Sequence, residues 1–284
     1  MVPVVTRWAP SNPKSNARGP GTVVTDPSEQ SDYSVDSIDE SWLQHWGPCK
    51  REKDILVDEE LCNVGTHNIN SFPDRNVPKM VRMMQTYKDM HVVGLSELNR
   101  NWFKVQEKDQ LRERFKKLWR QKRIKTTWLK DRDWRYSRVQ QGGVATMARG
   151  QASTYVQDMG EDKYGLGRWN WMSFEATSEN TKTTIIQMYR PNKNTTDEGS
   201  VYMQQKSRMK TDECPINRFD MDLLEQIDEL IEEGFQIILM GDFNTDLTRD
   251  SALIEALAER GIVDIMKECN GYNNVPNTSE VSWV

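Results

Sequence analysis

The chain has 284 residues, a formal net charge of −5 and 29% charged side chains. That length accommodates one large domain with tails, and the charge excludes a uniformly basic nucleic-acid binder while leaving room for local basic patches. No apolar run reaches the roughly 18 residues that a membrane helix needs, and the cysteines (Cys49, Cys62, Cys214, Cys269) lack CxxC spacing, which argues against a disulfide framework or a zinc site.

Residues 1–55 open with Pro, Ser, Asp and Gly in runs such as Pro10-Ser-Asn-Pro13 and show no apolar period, so they read as a disordered tail. The N-terminus has no secretory core, and an intracellular setting is expected. A folded domain is expected over 56–284. Val64 to Ile69 reads as a strand. Asn76 and Pro78 open a helix as N-cap and first-turn proline, with Val77, Met80, Val81, Met84 and Tyr87 along one face. Val92 to Ser96 is the next buried strand, with Glu97 at its end, giving a strand–helix–strand crossover.

Lys104 to Lys125 is basic and reads as a helix, with Trp119 and Trp128 interleaved. Such a run is most often a solvated helix face; beside a cleft it is also a candidate contact for a nucleic-acid backbone. Gly142 to Met147, Trp169 to Phe174 and Thr183 to Tyr189 read as strands, and Asn192 to Pro215 as a long polar loop. Phe219, Leu223, Ile227, Leu230 and Ile231 give an amphipathic helix that Gly234 stops. Ile237 to Met240 then runs as a strand into Gly241-Asp242-Phe-Asn244, and a last helix spans Ser251 to Arg260, followed by Gly261.

Four strand ends therefore carry polar groups: Asn68, Glu97, Tyr189 and the Asp242/Asn244 pair. If the strands lie side by side, these groups converge at one edge of a sheet, where catalytic groups of layered α/β folds sit. Each residue alone has a structural reading. Asp242, Asn244 and Asn68 could be turn residues, Tyr189 a half-buried aromatic, and Glu97 a solvated strand end. His67 should point away from Asn68 on its strand, and His91 follows a helix in a loop.

In this order, His67-Asn68-Ile69-Asn70, Leu95-Ser96-Glu97, Tyr189-Arg190-Pro191-Asn192 and Gly241-Asp242-Phe243-Asn244 resemble the exonuclease–endonuclease–phosphatase superfamily of metal-dependent phosphodiesterases. Tyr-x-Pro-Asn and Gly-Asp-Phe-Asn-Thr look most like the endonuclease domains of non-LTR retrotransposons. The resemblance spans about Leu61 to Val275. It implies a four-layered α/β sandwich, two packed mixed sheets flanked by helices. It also implies that Glu97 is the main ligand of a catalytic Mg²⁺, with Mn²⁺ as a substitute, and that Asn68 supports the metal or a phosphate oxygen. Tyr189 would donate to the phosphate, Asp242 would orient and deprotonate the attacking water, and Asn244 would hold that water or the phosphate. DNA is the implied partner and the nucleus the implied location.

The family pattern closes with Ser-Asp-His on its last strand. The histidines here, His45, His67 and His91, all precede Glu97. The final strands are therefore expected to be missing and the chain to be weakly active or inactive. The alternatives are another branch of the superfamily, such as an abasic-site nuclease or a phosphoinositide or RNA phosphoesterase, and a degenerate scaffold that binds nucleic acid without turnover.

Overall fold

A computed structural model describes residues 4–8, 62–72, 90–116, 119–130, 140–175, 182–209, 211–244 and 251–264. The strands of the first half are β1 (Val4–Trp8), β2 (Cys62–Asn68), β3 (Val92–Ser96), β4 (Lys122–Thr127) and β5 (Val144–Arg149), and they form one sheet in the order β1-β2-β3-β5-β4. Those of the second half are β6 (Val156–Glu161), β7 (Trp169–Glu175), β8 (Lys182–Tyr189) and β9 (Phe235–Asp242), in the order β6-β7-β8-β9. The pairs β2/β3 and β8/β9 are parallel and every other pair is antiparallel, so both sheets are mixed. The helices are α1 (Leu111–Lys116), α2 (Val201–Met209), α3 (Pro215–Glu232) and α4 (Ser251–Glu259).

The strand period of two sorts the apolar side chains into layers. Val64, Val92, Ala148, Phe174, Ile185 and Met240 meet between the sheets. Val93, Leu95 and Met147 face the other way, under Trp102, Leu111 and Phe115. On the far side, Ile186 and Met188 pack against Phe219, Leu223, Ile227 and Leu230 of α3 and against Leu253 and Leu257 of α4. The result is helix, sheet, sheet, helix: the four-layered α/β sandwich expected. Each fully buried Leu or Phe in these layers contributes about 1.5–3 kcal/mol relative to exposure.

Polar side chains fix how one sheet sits on the other. Thr66 Oγ1 of β2 donates to Gln187 Oε1 of β8 at 2.9 Å. Thr146 of β5 donates to Asn170 Oδ1 of β7, whose Nδ2 donates to the Val144 carbonyl at 3.2 Å. Gly94 leaves the space Gln187 occupies: a Cβ there would lie 1.8 Å from Gln187 Oε1.

Several expectations need correction. Val4–Trp8, inside the segment read as a tail, pairs antiparallel with β2 from Val4↔Thr66 to Trp8↔Cys62; the Val-Val-Thr run favours a strand. The remainder of the tail, 9–55, and the helix expected from Asn76 to Tyr87 lie outside the described residues. Lys104 to Lys125 is not one helix. It comprises two short 3₁₀ turns, the six-residue α1 and, from Lys122, strand β4, with 117–118 outside the described residues. Pairing with β5 overrides the helical reading there. The polar stretch after Asn192 contains α2, and β6 was not foreseen. Ile231, assigned to the buried face of α3, is 39% exposed.

Candidate active site

The parallel pairs bring the expected residues to one end of the sandwich. Asn68 and Ser96 are partners at the ends of β2 and β3, and Tyr189 and Asp242 at the ends of β8 and β9. Glu97 follows β3 directly. One sheet thus supplies Asn68 and Glu97, and the other supplies Tyr189, Asp242 and Asn244.

Asn68 Nδ2 donates to Asp242 Oδ2 at 2.6 Å, across the gap between the sheets. The Asn244 N–H donates to Asp242 Oδ1 at 3.0 Å. Both oxygens of Asp242 therefore accept one bond each and keep a second lone pair. The Asn68 amide oxygen accepts from the Asn70 N–H at 3.1 Å, which fixes its nitrogen toward Asp242. Tyr189 is buried, and its hydroxyl lies within hydrogen-bond reach of Asn244 and Glu97. Burial first, and then the charges of Glu97 and Asp242, push the phenol well above the usual tyrosine range. The hydroxyl keeps its proton and acts as a donor.

Arg190 holds the far side of this arrangement. Its N–H donates to the Asp242 carbonyl at 2.9 Å, and its own carbonyl accepts from Asn244 Nδ2 at 2.7 Å. Its guanidinium forks onto both oxygens of Asp220 in α3, at 2.7 and 2.6 Å. The charge is matched by Asp220 rather than turned into the site. Gly241 allows β9 to reach Asp242 here: its φ is +137°, and a Cβ would lie 2.0 Å from the Met188 carbonyl oxygen.

The backbone is strained at this end. Among the described residues, those with positive φ other than glycine are Asn70, Ser71, Glu97, Asn99 and Asn244, at 41°, 95°, 53°, 48° and 47°. Left-handed backbone of this kind costs about 1–3 kcal/mol per residue, and such strain clusters at functional sites. Local bonds hold it in place. The Ser71 N–H donates to the Glu97 carbonyl at 2.8 Å, the Asn99 N–H to the Gly142 carbonyl at 2.9 Å, and the Gly142 N–H to Asn99 Oδ1 at 2.7 Å. These turns enclose a cavity of about 380 Å³ lined by Asn70, Ser71, Glu97, Asn99, Gln141 and Tyr189.

Ser71, Asn99 and Gln141 were not foreseen. Asn70-Ser71 and Asn99 each sit just past a strand end, which was a usable signal; nothing marks Gln141. The basic segment is partly matched internally: Lys125 pairs with Glu161, Arg114 with Asp109, and Lys122 Nζ donates to the Trp119 carbonyl. His91 is structural, its Nδ1 accepting from the Asn63 N–H at 2.8 Å.

Among the described residues no three His, Cys, Asp or Glu side chains cluster as a ready metal cage. The donors present are two carboxylates and several amide oxygens. That set suits Mg²⁺, which takes one or two carboxylates and keeps its waters.

Residues 65–254 match the Endonuclease/Exonuclease/phosphatase family. No curated protein matches the chain. Solved structures similar to it include a 3'-5' exonuclease from Neisseria meningitidis, at 15% identity and TM-score 0.48, covering 72% of this chain and 73% of that one. An AP endonuclease from Archaeoglobus fulgidus is similar at 14% identity and TM-score 0.44, with 72% and 73% covered. So is a mannosyl-6-phosphatase from Bacteroides thetaiotaomicron, at 14% identity and TM-score 0.41, with 70% of each chain covered.

Proposed function

The chain belongs to the endonuclease/exonuclease/phosphatase family, and from that premise we propose that it is a divalent-metal-dependent nuclease acting on DNA phosphodiesters, of the kind carried by non-LTR retroelements. The observation that carries this reading is the meeting of Glu97, Tyr189, Asp242 and Asn244 at one end of the sandwich, with Asn68 tying Asp242 across the sheets. The cavity lining supports a diester over a monoester. It holds one carboxylate, one protonated phenol, amides, a hydroxyl and no cation. A diester brings one negative charge there, whereas a phosphate monoester brings nearly two at neutral pH.

Glu97 would hold the metal ion, and the second lone pair of the Asn68 oxygen would support it. When bound, Mg²⁺ neutralises charge developing on the phosphoryl oxygens and lowers the pKa of water. Asp242 accepts the proton of the attacking water as its oxygen bonds to phosphorus. The Tyr189 hydroxyl donates to the non-bridging oxygen on which charge builds, where a preorganised donor contributes most. Asn244, held by the Arg190 carbonyl, positions the water or the phosphate. The P–O bond opposite the water breaks and the leaving oxygen takes a proton from solvent.

Nicking of supercoiled plasmid tests the reading. Wild-type protein should nick with Mg²⁺ and not with a chelator, and Glu97→Gln should lower the rate about 10²–10³-fold. DNA affinity measured in chelator should fall steeply with salt. Equal nicking by wild type and Glu97→Gln would sink the catalytic assignment. Salt-sensitive binding with no Mg²⁺-dependent nicking would instead identify a scaffold that binds DNA without turnover.

A further inference from the structure

Five residues past Glu97 the chain makes a 3₁₀ turn, Trp102–Lys104. Its two aromatics differ in placement. Trp102 is buried, with its ring 6.1 Å from Phe72 and 6.2 Å from Trp128. Phe103 is 45% exposed and stands edge-on to Trp128, at 6.0 Å and 79°. The turn is clamped, because Gln110 Nε2 donates to the carbonyls of Trp102 and Val105, both at 3.1 Å. Single exposed hydrophobic residues are common and need no function. This one is braced from behind by a tryptophan, on a turn pinned by a side-chain amide.

Its location matters as much as its support. Phe72, under Trp102, directly follows Ser71 of the cavity wall. A Cβ on Gly143 would lie 3.6 Å from the Trp128 Cβ, and Gln141, two residues earlier, lines the cavity. Lys130 over the Trp128 ring is paired with Glu161, whereas Lys104 and Lys108 are exposed on the segment of Phe103. An exposed aromatic on a segment that also carries exposed lysines can hold a single nucleic-acid strand: the base stacks and the backbone meets positive charge.

We propose that Phe103, braced by Trp128, is a stacking platform for one unpaired base of a nucleic-acid strand whose phosphate lies at the Glu97 cavity. This rests on the nucleic-acid reading above. The platform adds a preference for a strand that can present an unstacked base, which a continuous duplex does not offer without local opening.

The test is binding in chelator, so that no cleavage intervenes. Fluorescence anisotropy compares a labelled oligothymidylate with the same oligomer carrying abasic nucleotides, for wild type, Phe103→Ala and Phe103→Trp. Wild type should bind the base-bearing strand about tenfold more tightly, as expected for one stacked base. That preference should vanish in Phe103→Ala and persist in Phe103→Trp. A preference unchanged in Phe103→Ala, or wild type binding both strands equally, overturns the platform. If plasmid nicking remains Mg²⁺-dependent and Glu97-dependent in that same preparation, only the platform has failed. If neither strand binds and no nicking occurs, the nucleic-acid reading fails and takes the platform with it.

Discussion

Two clusters of ionisable side chains lie next to each other at the end of the second sheet, joined by the Tyr189 N–H donating to the Arg168 carbonyl at 2.8 Å. The first is the buried trio Arg168, Asp162 and Asp222 with the half-buried Arg218. Arg168 forks onto Asp162 at 2.7 and 2.8 Å and reaches Asp222 at 2.8 Å; Arg218 takes the other oxygen of Asp222 at 2.8 Å. Asp162 also accepts the N–H groups of Tyr164 and Leu166, and the guanidinium of Arg168 stacks on Trp169 at 4.3 Å. Two positive charges meet two negative ones. The second cluster is Glu97 with Asp242, and among the described residues no cation stands within ion-pair distance of either. The balanced set holds a loop in place. The second set has no such match among the described residues, which leaves its carboxylates open to a cation. Buried charge by itself is weak evidence for function, whereas charge left unmatched beside a cavity is better evidence.

The contrast can be broken first on the structural side. Arg168→Met leaves two buried carboxylates short of their partner and should destabilise the protein by about 3–5 kcal/mol, read as a fall in the urea midpoint. An unchanged midpoint would mean that the quartet is incidental. On the functional side the signs should reverse. Glu97→Gln should cost about 10²–10³ in nicking rate while leaving the melting temperature equal or higher, because it removes half of an uncompensated carboxylate pair. A large loss of stability in that variant would erase the distinction between the clusters.

Asp220→Ala sits between the two cases. It removes the Asp220 fork from Arg190, whose main chain holds Asp242 and Asn244. Small misplacement should lower kcat about 10–10²-fold, more than it raises KM. A change in KM alone would show that the fork does not position the site.

The smallest expected effect concerns pH. The phenol of Tyr189 is raised in the folded protein, whereas in the unfolded chain it ionises near about 10. Its contribution to stability is complete below that value and is lost as pH rises beyond it. Melting temperatures between pH 8 and 11 should show a decline in wild type that is shallower in Tyr189→Phe. Parallel curves would show that Tyr189 is not the group responsible.

The strands that sequence reading missed share one property. β1, β4 and β6 all lie at sheet edges, as does β9, which its Ile237–Met240 run made legible all the same. An edge strand buries fewer side chains, so Lys122-Arg-Ile-Lys-Thr-Thr127 and Val156-Gln-Asp-Met-Gly-Glu161 carry no apolar run to announce them. The central strands β3 and β8 are buried almost throughout and were legible for that reason. The site followed the same division. Asn68, Glu97, Tyr189, Asp242 and Asn244 end legible strands, while Gln141 enters the cavity through loop packing that leaves no local pattern. The basic stretch from Lys104 misled because its charge obscured the β-branched residues of β4, whose partner β5 is distant in sequence.

The contact at Gly94 has a consequence for how variation can act on this protein. Glu97 and Asn68 ride on one sheet while Tyr189, Asp242 and Asn244 ride on the other, and Gln187 seats against Gly94 on the seam between them. Gly94 lies three residues before Glu97 on the same strand, roughly 10 Å at about 3.3 Å per residue. A methyl group added there touches no substrate, yet it meets Gln187 Oε1 and Met240 Cε, so Gln187 must leave its place on the seam. Gly94→Ala should therefore lower the nicking rate more than it lowers DNA affinity, so that turnover is tuned from the seam without altering any residue that meets the phosphate.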